Sequence, residues 1–569
     1  MSSFVIENVW IYKTPQRTFE KGSLRVVDEC IWGFDEKKEG DLVIDGQGGY
    51  LIPGLIDIHM HIESTMTTPP LFSDAVLEHG TTCVVADPHE IANVFGVEGV
   101  IDYMDHKQDL DVYYAIPSCV PSTNEMLETT GGKIGVEEVR ILAKHPKVIA
   151  LGEVMNNKDA TAQEETLTKA IIKAFQQSKP QAPLEGHCIA KTEAECAAYV
   201  RAGVDSDHCL QTPELIKMRS EAGIFLEIQE KSITRENIRT LTKGNLFPFF
   251  CFVTDDVMPD HLVENGHLDY LLKLAMAESM RFEDALYCAT WTPAQRMQLK
   301  ERGALMPGRL ADMVLLSDKE NFKIESVFKS GRQVVAKGKL IKPSPTLNYP
   351  QERCLTLKRK PVQKEDFIPK AKGTKVILRV ADRNPITTYT SEAEVEVTIK
   401  DGVIDYQSAG LNLMAVAERY GHESPLAIGY LKNGLSKDSA AATSWAHDHH
   451  NILVIGNNPD KMAQAVNLLL KEQGGIVCID ENNHGHFCPL PYGGIVSLKP
   501  IKQLAKELLE VRSAMRCCGF EAANEIMSLA TLSLPVSPAL KITDKGLIRV
   551  DTQALVSAVV ETSQDKETG

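Results

Sequence analysis

Two histidines separated by one residue, His59 and His61, have the residue type and the spacing of half a metal site. Side chains alternate faces along a β-strand, so both imidazoles would point the same way, while Ile58, Met60 and Ile62 would point into packing. The apolar run around the pair predicts a buried strand that ends near the histidines. A metal-binding strand end is therefore our first hypothesis.

Imidazoles and carboxylates that could complete such a site end later apolar runs. His187 closes one run and His208 closes the next, and four imidazoles can hold two divalent ions if carboxylates bridge them. Glu153 ends an earlier run, where a carboxylate could form the bridge. Lys147 lies about 20 Å before Glu153 along an extended strand. It is therefore at the opposite end of the strand and cannot form the bridge.

Two adjacent aspartates, Asp255 and Asp256, end the last run. Neighbours on a strand face opposite sides, so only one of them can point toward the other candidate ligands. We favour Asp255 as the ligand, although a bend in the strand would let Asp256 share the role.

The elements that would position these side chains are the strands of one barrel. Buried apolar runs alternate with helix-length segments, which is the pattern of a parallel sheet wound by crossovers. In such barrels, polar residues at the carboxyl ends of strands are typically functional. The runs cover residues 55–61, 82–87, 112–116, 148–153, 183–187, 204–208, 224–228 and 247–255. We therefore predict an α/β fold with a (β/α)8 barrel over residues 51–300.

The sequence on both sides of the barrel predicts further domains. Residues 1–50 and 301–342 alternate apolar and polar positions, and neither piece has enough strands for its own core, so we expect one composite β-sandwich domain. Enrichment in Pro and Lys over residues 343–374 predicts a linker. Residues 375–569 alternate strand and helix patterns, which predicts a C-terminal α/β domain.

Composition restricts the classes of function. The chain has 569 residues and a formal net charge of -16, which argues against nucleic-acid binding. We see no apolar run of membrane-spanning length and no secretory signal pattern. The 13 cysteines follow no regular spacing and predict reduced thiols in a cytoplasmic protein.

Longer motifs carry a resemblance to a known family. The run Ile52-Pro-Gly-Leu-Ile-Asp-Ile-His-Met-His61 resembles the first-strand signature of the amidohydrolase superfamily. The run Asp87-Pro-His-Glu-Ile-Ala-Asn-Val94 narrows the resemblance to the adenine deaminase family. The C-terminal runs Ser444-Trp-Ala-His-Asp-His-His-Asn-Ile-Leu-Val-Ile-Gly456 and Pro489-Leu-Pro-Tyr-Gly-Gly-Ile495 resemble the same family, so the similarity covers nearly the whole chain.

This resemblance implies a deaminase that converts adenine to hypoxanthine and ammonia, with a hydroxide held by two divalent metal ions as the nucleophile. Mn or Fe is favoured, and Zn also suits the ligands. The implied partner is a small purine, and we expect a homo-oligomer. The metal ligands would be His59, His61, Glu153, His187, His208 and Asp255.

The resemblance also implies catalytic roles outside the metal ligands. Asp255 would serve as general base, and His89 and Glu90 would hydrogen-bond the purine and give a proton to the departing ammonia. Glu63, Ser64 and Asp256 are weaker candidates for substrate contacts. In the family an arginine often stands at the position of Val257, so a charge partner for the two aspartates is in doubt.

Several alternatives remain open from the sequence. The substrate could be another 6-substituted purine, the reaction could be cyclic-amide hydrolysis of the dihydroorotase type, or the barrel could be a non-catalytic module. The cluster from His447 to His450 has the composition of a metal site, although its spacing suits one less well, and we expect a loop there. The missing Pro-Cys-x-x-Cys excludes the zinc cytidine-deaminase fold. Neither His-Glu-x-x-His nor a phosphate-binding loop motif is present.

Overall fold

The computed structural model describes residues 3–34, 37–345, 349–422 and 424–562. The chain forms two compact units, and each is described by itself below. The first unit comprises Met1–Pro88, Ile101–Ser118 and Gly135–Thr346, and the second comprises His89–Val100, Cys119–Ile134 and Leu347–Gly569.

The first unit begins with five strands that precede the barrel. They are β1 (Ser3–Lys13), β2 (Thr18–Val27), β3 (Cys30–Gly33), β4 (Leu42–Asp45) and β5 (Tyr50–Pro53). Alternating apolar positions of β1 and β2, including Ile6, Ile11 and Leu24, are buried together in one cluster. This burial follows the period-two pattern of the sequence.

Eight parallel strands then form a (β/α)8 barrel. They are β6 (Leu55–Met60), β7 (Thr81–Ala86), β8 (Asp111–Ile116), β9 (Val148–Val154), β10 (Leu184–Gly186), β11 (Ser206–Asp207), β12 (Phe225–Ile228) and β13 (Phe250–Phe252). Two parallel ladders, β10-β9-β8-β7-β6 and β11-β12-β13, make up the wall. Asp205 donates its amide to Leu184 O at 3.4 Å, and Asp255 donates its amide to His59 O at 3.1 Å. These bonds join the two ladders at both seams.

The sheet that begins with β1 is completed by strands that follow the barrel in sequence. These are β14 (Met313–Asp318), β15 (Lys323–Lys329), β16 (Arg332–Ala336) and β17 (Lys339–Leu340). The strand β14 pairs with β5, which gives a nine-stranded sheet in the order β17-β16-β15-β14-β5-β1-β2-β3, with β4 paired to β1. Both flanks of the barrel sequence thus contribute to one sheet.

Helices alternate with the barrel strands and follow the last of them, and the first part of one helix, residues His89–Val100, belongs to the second unit. They are α1 (Pro69–Leu77), α2 (His89–Asp105), α3 (Val136–Leu142), α4 (Asn157–Thr161), α5 (Leu167–Ser178), α6 (Glu193–Arg201), α7 (Pro213–Glu221), α8 (Arg235–Lys243), α9 (Pro259–Asn265), α10 (Leu268–Ala277) and α11 (Phe282–Arg296). Each helix from α5 to α8 begins after a threonine whose side chain accepts a backbone amide bond, namely Thr166, Thr192, Thr212 and Thr234. Such caps typically stabilise a helix by about 1 kcal/mol each.

The second unit contains an α/β arrangement. Its strands are β18 (Lys375–Arg383), β19 (Thr390–Lys400), β20 (Val403–Ile404), β21 (Asn412–Ala417), β22 (Ala427–Lys432), β23 (Ala440–Thr443), β24 (Ile452–Gly456), β25 (Gly475–Ile479), β26 (Gly485–Pro489), β27 (Leu540–Thr543), β28 (Gly546–Arg549), β29 (Ala554–Val556) and β30 (Val559–Thr562). Its helices are α12 (Pro459–Glu472), α13 (Ile501–Cys517) and α14 (Glu525–Ala530). Val466 and Leu469 of α12 are buried in the core cluster of the sheet.

The segment 343–374 differs from the predicted linker in one respect. Among its described residues, Leu357, Val362 and Phe367 are buried in the core cluster of the second unit. A few apolar residues in this Pro- and Lys-rich stretch therefore pack against the core of the second unit. Composition alone does not indicate this packing. Among the described residues, no helix has the length and apolar content that crossing a membrane would require.

Candidate active site

One group of candidate ligands surrounds the end of β6 in the first unit. His61 Nε2 lies 3.4 Å from Asp255 Oδ1 and 3.8 Å from Glu153 Oε2. His59 Nε2 lies 3.7 Å from the same oxygen of Asp255. Because the two histidines occupy alternate positions of one strand end, both imidazoles face these carboxylates.

A second group shares Glu153 with the first. His187 Nδ1 lies 3.0 Å and His208 Nε2 lies 3.2 Å from Glu153 Oε1, and the two nitrogens are 3.1 Å apart. One oxygen of Glu153 thus faces His61, and the other faces His187 and His208. The six side chains predicted as ligands lie together in the first unit.

The donor atoms of this group fit divalent cations. His59 Nε2 and His208 Nδ1 are buried and take no hydrogen bond from the part of the chain that the structure describes. Separations of 3.0 to 3.8 Å between nitrogen and oxygen bracket the spacing of about 3.3 Å between ligands that bind zinc tetrahedrally at about 2.0 Å. The residues therefore suit cations bound by mixed imidazole and carboxylate ligands.

Neighbouring histidines favour the ionised form of the Glu153 and Asp255 carboxylates. Burial alone would raise the pKa of Glu153, but the imidazoles of His208 and His187 lower that pKa well below its usual value. Burial likewise opposes ionisation of Asp255, and contacts with His59 and His61 lower its pKa well below the usual range. An ionised carboxylate is the form that a cation binds.

Two aspartates that our sequence analysis gave no role hold the strand ends in place. Asp87 Oδ2 accepts the Glu153 amide at 2.8 Å, and a Cβ added at Gly152 would lie 2.3 Å from that oxygen. Asp57 accepts the His59 amide at 3.2 Å and the Thr254 hydroxyl at 2.6 Å. The sequence contains one sign of the Asp87 contact. Gly152 stands directly before Glu153, and only a residue without a Cβ leaves room there for the Asp87 carboxylate.

Asp207 is a third such residue, and it holds the backbone beside two candidate ligands. Its Oδ1 accepts the amides of Cys188 at 2.8 Å and Cys209 at 3.1 Å, the residues that follow His187 and His208. Its Oδ2 accepts from the Arg219 guanidinium at 2.6 Å. Asp207 stands directly before His208 in sequence, and this position could have indicated a supporting role beside that histidine.

We expect Asp207→Asn to weaken metal binding more than it weakens catalysis at saturating metal. The asparagine oxygen can still accept the amides of Cys188 and Cys209, but the NH2 group would face the Arg219 guanidinium, which also donates. This clash would displace the side chain that holds both histidine backbones. Residues that orient metal ligands typically contribute about 10- to 100-fold in affinity. Metal retention against a chelator measures this effect. Asp205→Asn is the matched control, since Asp205 pairs with Arg296 at 2.7 Å instead. Equal loss in both variants would contradict the role of Asp207.

The candidate substrate residues lie beside the first group of ligands. Glu63 and Ser64 are fully buried in the turn after β6, and the Ser64 hydroxyl donates to Asp256 Oδ1. Asp256 is exposed, whereas Asp255 is largely buried. The backbone of Asp255 has a φ of 56°, a left-handed conformation that aspartate tolerates and that is common at functional sites.

Lys147, His89 and Glu90 are not part of the group of candidate ligands around Glu153. The ammonium of Lys147 donates to Met104 O at 2.5 Å, so it is engaged away from Glu153. His89 and Glu90 belong to the second unit, where they lie with His447 and Asp448 in a buried cluster.

Comparison with known families identifies both halves of the chain. Residues 50–334 match the model of the Amidohydrolase family, which spans half of the chain. Residues 387–554 match the model of the Adenine deaminase C-terminal domain.

Proteins named adenine deaminase match along the full length. The protein of that name from Clostridium perfringens is 42% identical, and the alignment covers 97% of this chain and 99% of the relative. Adenine deaminase 2 from Oenococcus oeni is 41% identical, with 97% of each chain covered. The adenine deaminase of Lactobacillus delbrueckii subsp. bulgaricus is 41% identical over 96% of this chain and 98% of its own. Such identity along both units shows that the chain belongs to the adenine deaminase family of the amidohydrolases.

Proposed function

We propose that this protein hydrolyses adenine to hypoxanthine and ammonia. The observation that carries the proposal is the arrangement of six side chains around Glu153, in a chain whose full-length relatives bear the name adenine deaminase. The four imidazoles and two carboxylates are a donor set for divalent cations, and such cations are the usual source of a nucleophile in hydrolytic deamination.

We infer that the protein holds two divalent cations. His59, His61 and Asp255 would hold one, His187 and His208 would hold the other, and Glu153 would contact both. Imidazole and carboxylate donors suit Mn, Fe and Zn, and the family resemblance favours Mn or Fe. When bound, the cations supply an acidified water and stabilise negative charge that develops on the purine.

The residues of the chain would divide the proton transfers between them. Asp255 accepts a proton from the attacking water, since its carboxylate is ionised and lies within 3.7 Å of both His59 and His61. His89 or Glu90 gives a proton to the exocyclic nitrogen as the bond from carbon to nitrogen breaks. Glu63, Ser64 and Asp256 are proposed as secondary contacts with the purine.

We propose a cytoplasmic homo-oligomer, which size-exclusion chromatography with light scattering and cell fractionation would test. The proposed domains are 1–50 with 301–342, 51–300 and 375–569, with residues 343–374 connecting the last two. Limited proteolysis would test these boundaries, because cleavage concentrates in exposed connecting segments.

The test of function is a purine screen on protein reconstituted with metal. We expect hypoxanthine and ammonia in equal amounts from adenine, loss of activity after chelation, and recovery with Mn²⁺ or Fe²⁺. Dihydroorotate and hydantoin should not be turned over. Turnover of another 6-substituted purine but not adenine would reassign the substrate, and turnover of cyclic amides alone would reject deamination.

A further inference from the structure

The turn between β25 and β26 of the second unit brings two imidazoles to one carboxylate. His484 Nδ1 lies 3.5 Å and His486 Nε2 lies 3.4 Å from Asp480 Oδ2. Both separations exceed the usual range of an N–H···O hydrogen bond. They are close to the spacing of about 3.3 Å between ligands that bind zinc tetrahedrally at about 2.0 Å. Both imidazoles therefore have the distance to this oxygen that two ligands of one cation have.

The backbone of this hairpin places the three side chains on one face. The strands are antiparallel and pair Cys478 with His486, and Asp480 donates its amide to His484 O at 3.0 Å, which continues the ladder by one pair. Residues paired across a ladder point to the same face, and so do residues two apart along a strand. Asp480, His484 and His486 thus share a face because of the register of the hairpin.

Backbone amides hold the carboxylate in its orientation. Asp480 Oδ1 accepts the amides of Asn482 at 2.8 Å and His484 at 2.9 Å. These bonds occupy Oδ1 and leave Oδ2 directed toward the imidazoles. A ligand that is oriented before a cation arrives loses less conformational freedom when the cation binds.

The three side chains can be reached from solvent. The side chain of His484 is 75% exposed and that of His486 is 36% exposed, whereas that of Asp480 is 18% exposed. A cation can therefore reach the donor atoms without unfolding of the hairpin, and water can supply the remaining ligand. Two imidazoles, one carboxylate and one water are the donor set of open zinc sites.

We propose that Asp480, His484 and His486 form a zinc site in the second unit, the hairpin site, in addition to the cations proposed for the barrel. The hairpin site goes beyond the proposed function and does not depend on it. Bound Zn²⁺ ties the turn to β26 and stabilises the fold, because a ligand that binds the folded state alone raises its stability.

The ligands of the hairpin site favour Zn²⁺ over the ions proposed for the barrel. Imidazole suits Zn, Cu, Ni and Fe, and the affinity of a given site is generally higher for Zn²⁺ than for Mn²⁺ or Fe²⁺. We therefore expect Zn²⁺ to fill the hairpin site at concentrations where Mn²⁺ and Fe²⁺ do not.

His422 provides a matched control in the same unit. Its Nδ1 lies 3.3 Å from Glu418 Oε1, and its side chain is 66% exposed. This pair consists of one imidazole and one carboxylate, whereas zinc sites use three or four protein ligands. His422→Ala should therefore leave the zinc stoichiometry unchanged.

Equilibrium dialysis of full-length, metal-free protein against Zn²⁺ measures the stoichiometry. We expect wild type to bind one equivalent more than the double variant with His484→Ala and His486→Ala, and His422→Ala to match wild type. Excess Zn²⁺ should also raise the Tm of wild type more than that of the double variant, because only wild type gains the additional cation.

A second variant, Asp480→Asn, separates metal binding from folding of the turn. The asparagine oxygen can still accept the amides of Asn482 and His484, but its NH2 group would face the imidazoles in place of Oδ2. We expect the affinity for the additional equivalent to fall at least about tenfold, since even residues that only orient ligands contribute about 10- to 100-fold. If the double variant does not fold, Asp480→Asn decides the proposal on its own.

Anomalous diffraction at the Zn edge, from crystals of Mn²⁺-reconstituted protein soaked in Zn²⁺, locates the cation. We expect a peak contacted by Asp480 Oδ2, His484 Nδ1 and His486 Nε2, and no peak at this hairpin would overturn the proposal. Equal zinc stoichiometry in wild type and the double variant would also overturn it, as would a matching loss in His422→Ala or unchanged affinity in Asp480→Asn. A barrel without cations would instead reject the proposed function and leave the difference of one equivalent, so the two failures are distinguishable.

Discussion

Glu153→Ala should abolish deamination, with kcat/KM reduced by at least about 10⁴-fold, and should leave the protein without its normal metal content. The carboxylate faces His61 with one oxygen and His187 and His208 with the other, so its removal takes a candidate ligand from both groups. Loss of metal removes both the nucleophile source and the charge stabilisation. Steady-state kinetics and elemental analysis on the same preparation measure the two effects.

The matched control for this variant is Glu227→Gln. Glu227 is also fully buried in a barrel strand, but burial and the adjacent Glu185 raise its pKa well above the usual value. A glutamine therefore replaces a neutral acid of the same shape, and we expect activity and metal content within about threefold of wild type. Equal loss in both variants would show that the effect of Glu153→Ala is general damage to the barrel.

Asp255→Asn should reduce kcat by about 10³-fold while the protein keeps metal at His187 and His208. Asparagine has the shape of aspartate and keeps one oxygen for a cation, but it cannot accept a proton from water. Loss of a general base typically costs about 10²- to 10⁴-fold. Stopped-time assays of hypoxanthine formation, with metal content determined in parallel, measure the change.

Asp256→Asn tests the alternative assignment at the same strand end. Its side chain accepts from Ser64, and asparagine can still accept that bond, so we expect a loss of less than about tenfold. A larger loss in Asp256→Asn than in Asp255→Asn would transfer the role of base to Asp256.

Much of the barrel could be predicted from the sequence for a physical reason. Parallel strands are buried on both faces, so they stand out as apolar runs such as Thr81–Ala86, in which every residue is buried. Strand ends then bring distant residues together, because all parallel strands end at the same edge. The positions of His59, His61 and Glu153 could be predicted for that reason. Their role as ligands stays a prediction.

The supporting contacts could not be predicted in the same way. Asp207 and Asp57 act by accepting backbone amides, and no periodicity or composition marks such a bond in advance. The packing of Phe367 in the segment predicted as a linker depends on apolar residues elsewhere in the chain. The contact between Glu90 and His450 joins residues 360 positions apart, and a single sequence contains no pattern for such a pair.

The most direct test of our central claim is a crystal structure of the metal-reconstituted protein with anomalous diffraction data at the Mn and Fe edges. We predict two anomalous peaks, one contacted by His59, His61 and Asp255, the other by His187 and His208, with Glu153 touching both. Glu153 turned away from both peaks, or a single peak that His187 and His208 do not contact, would contradict the account.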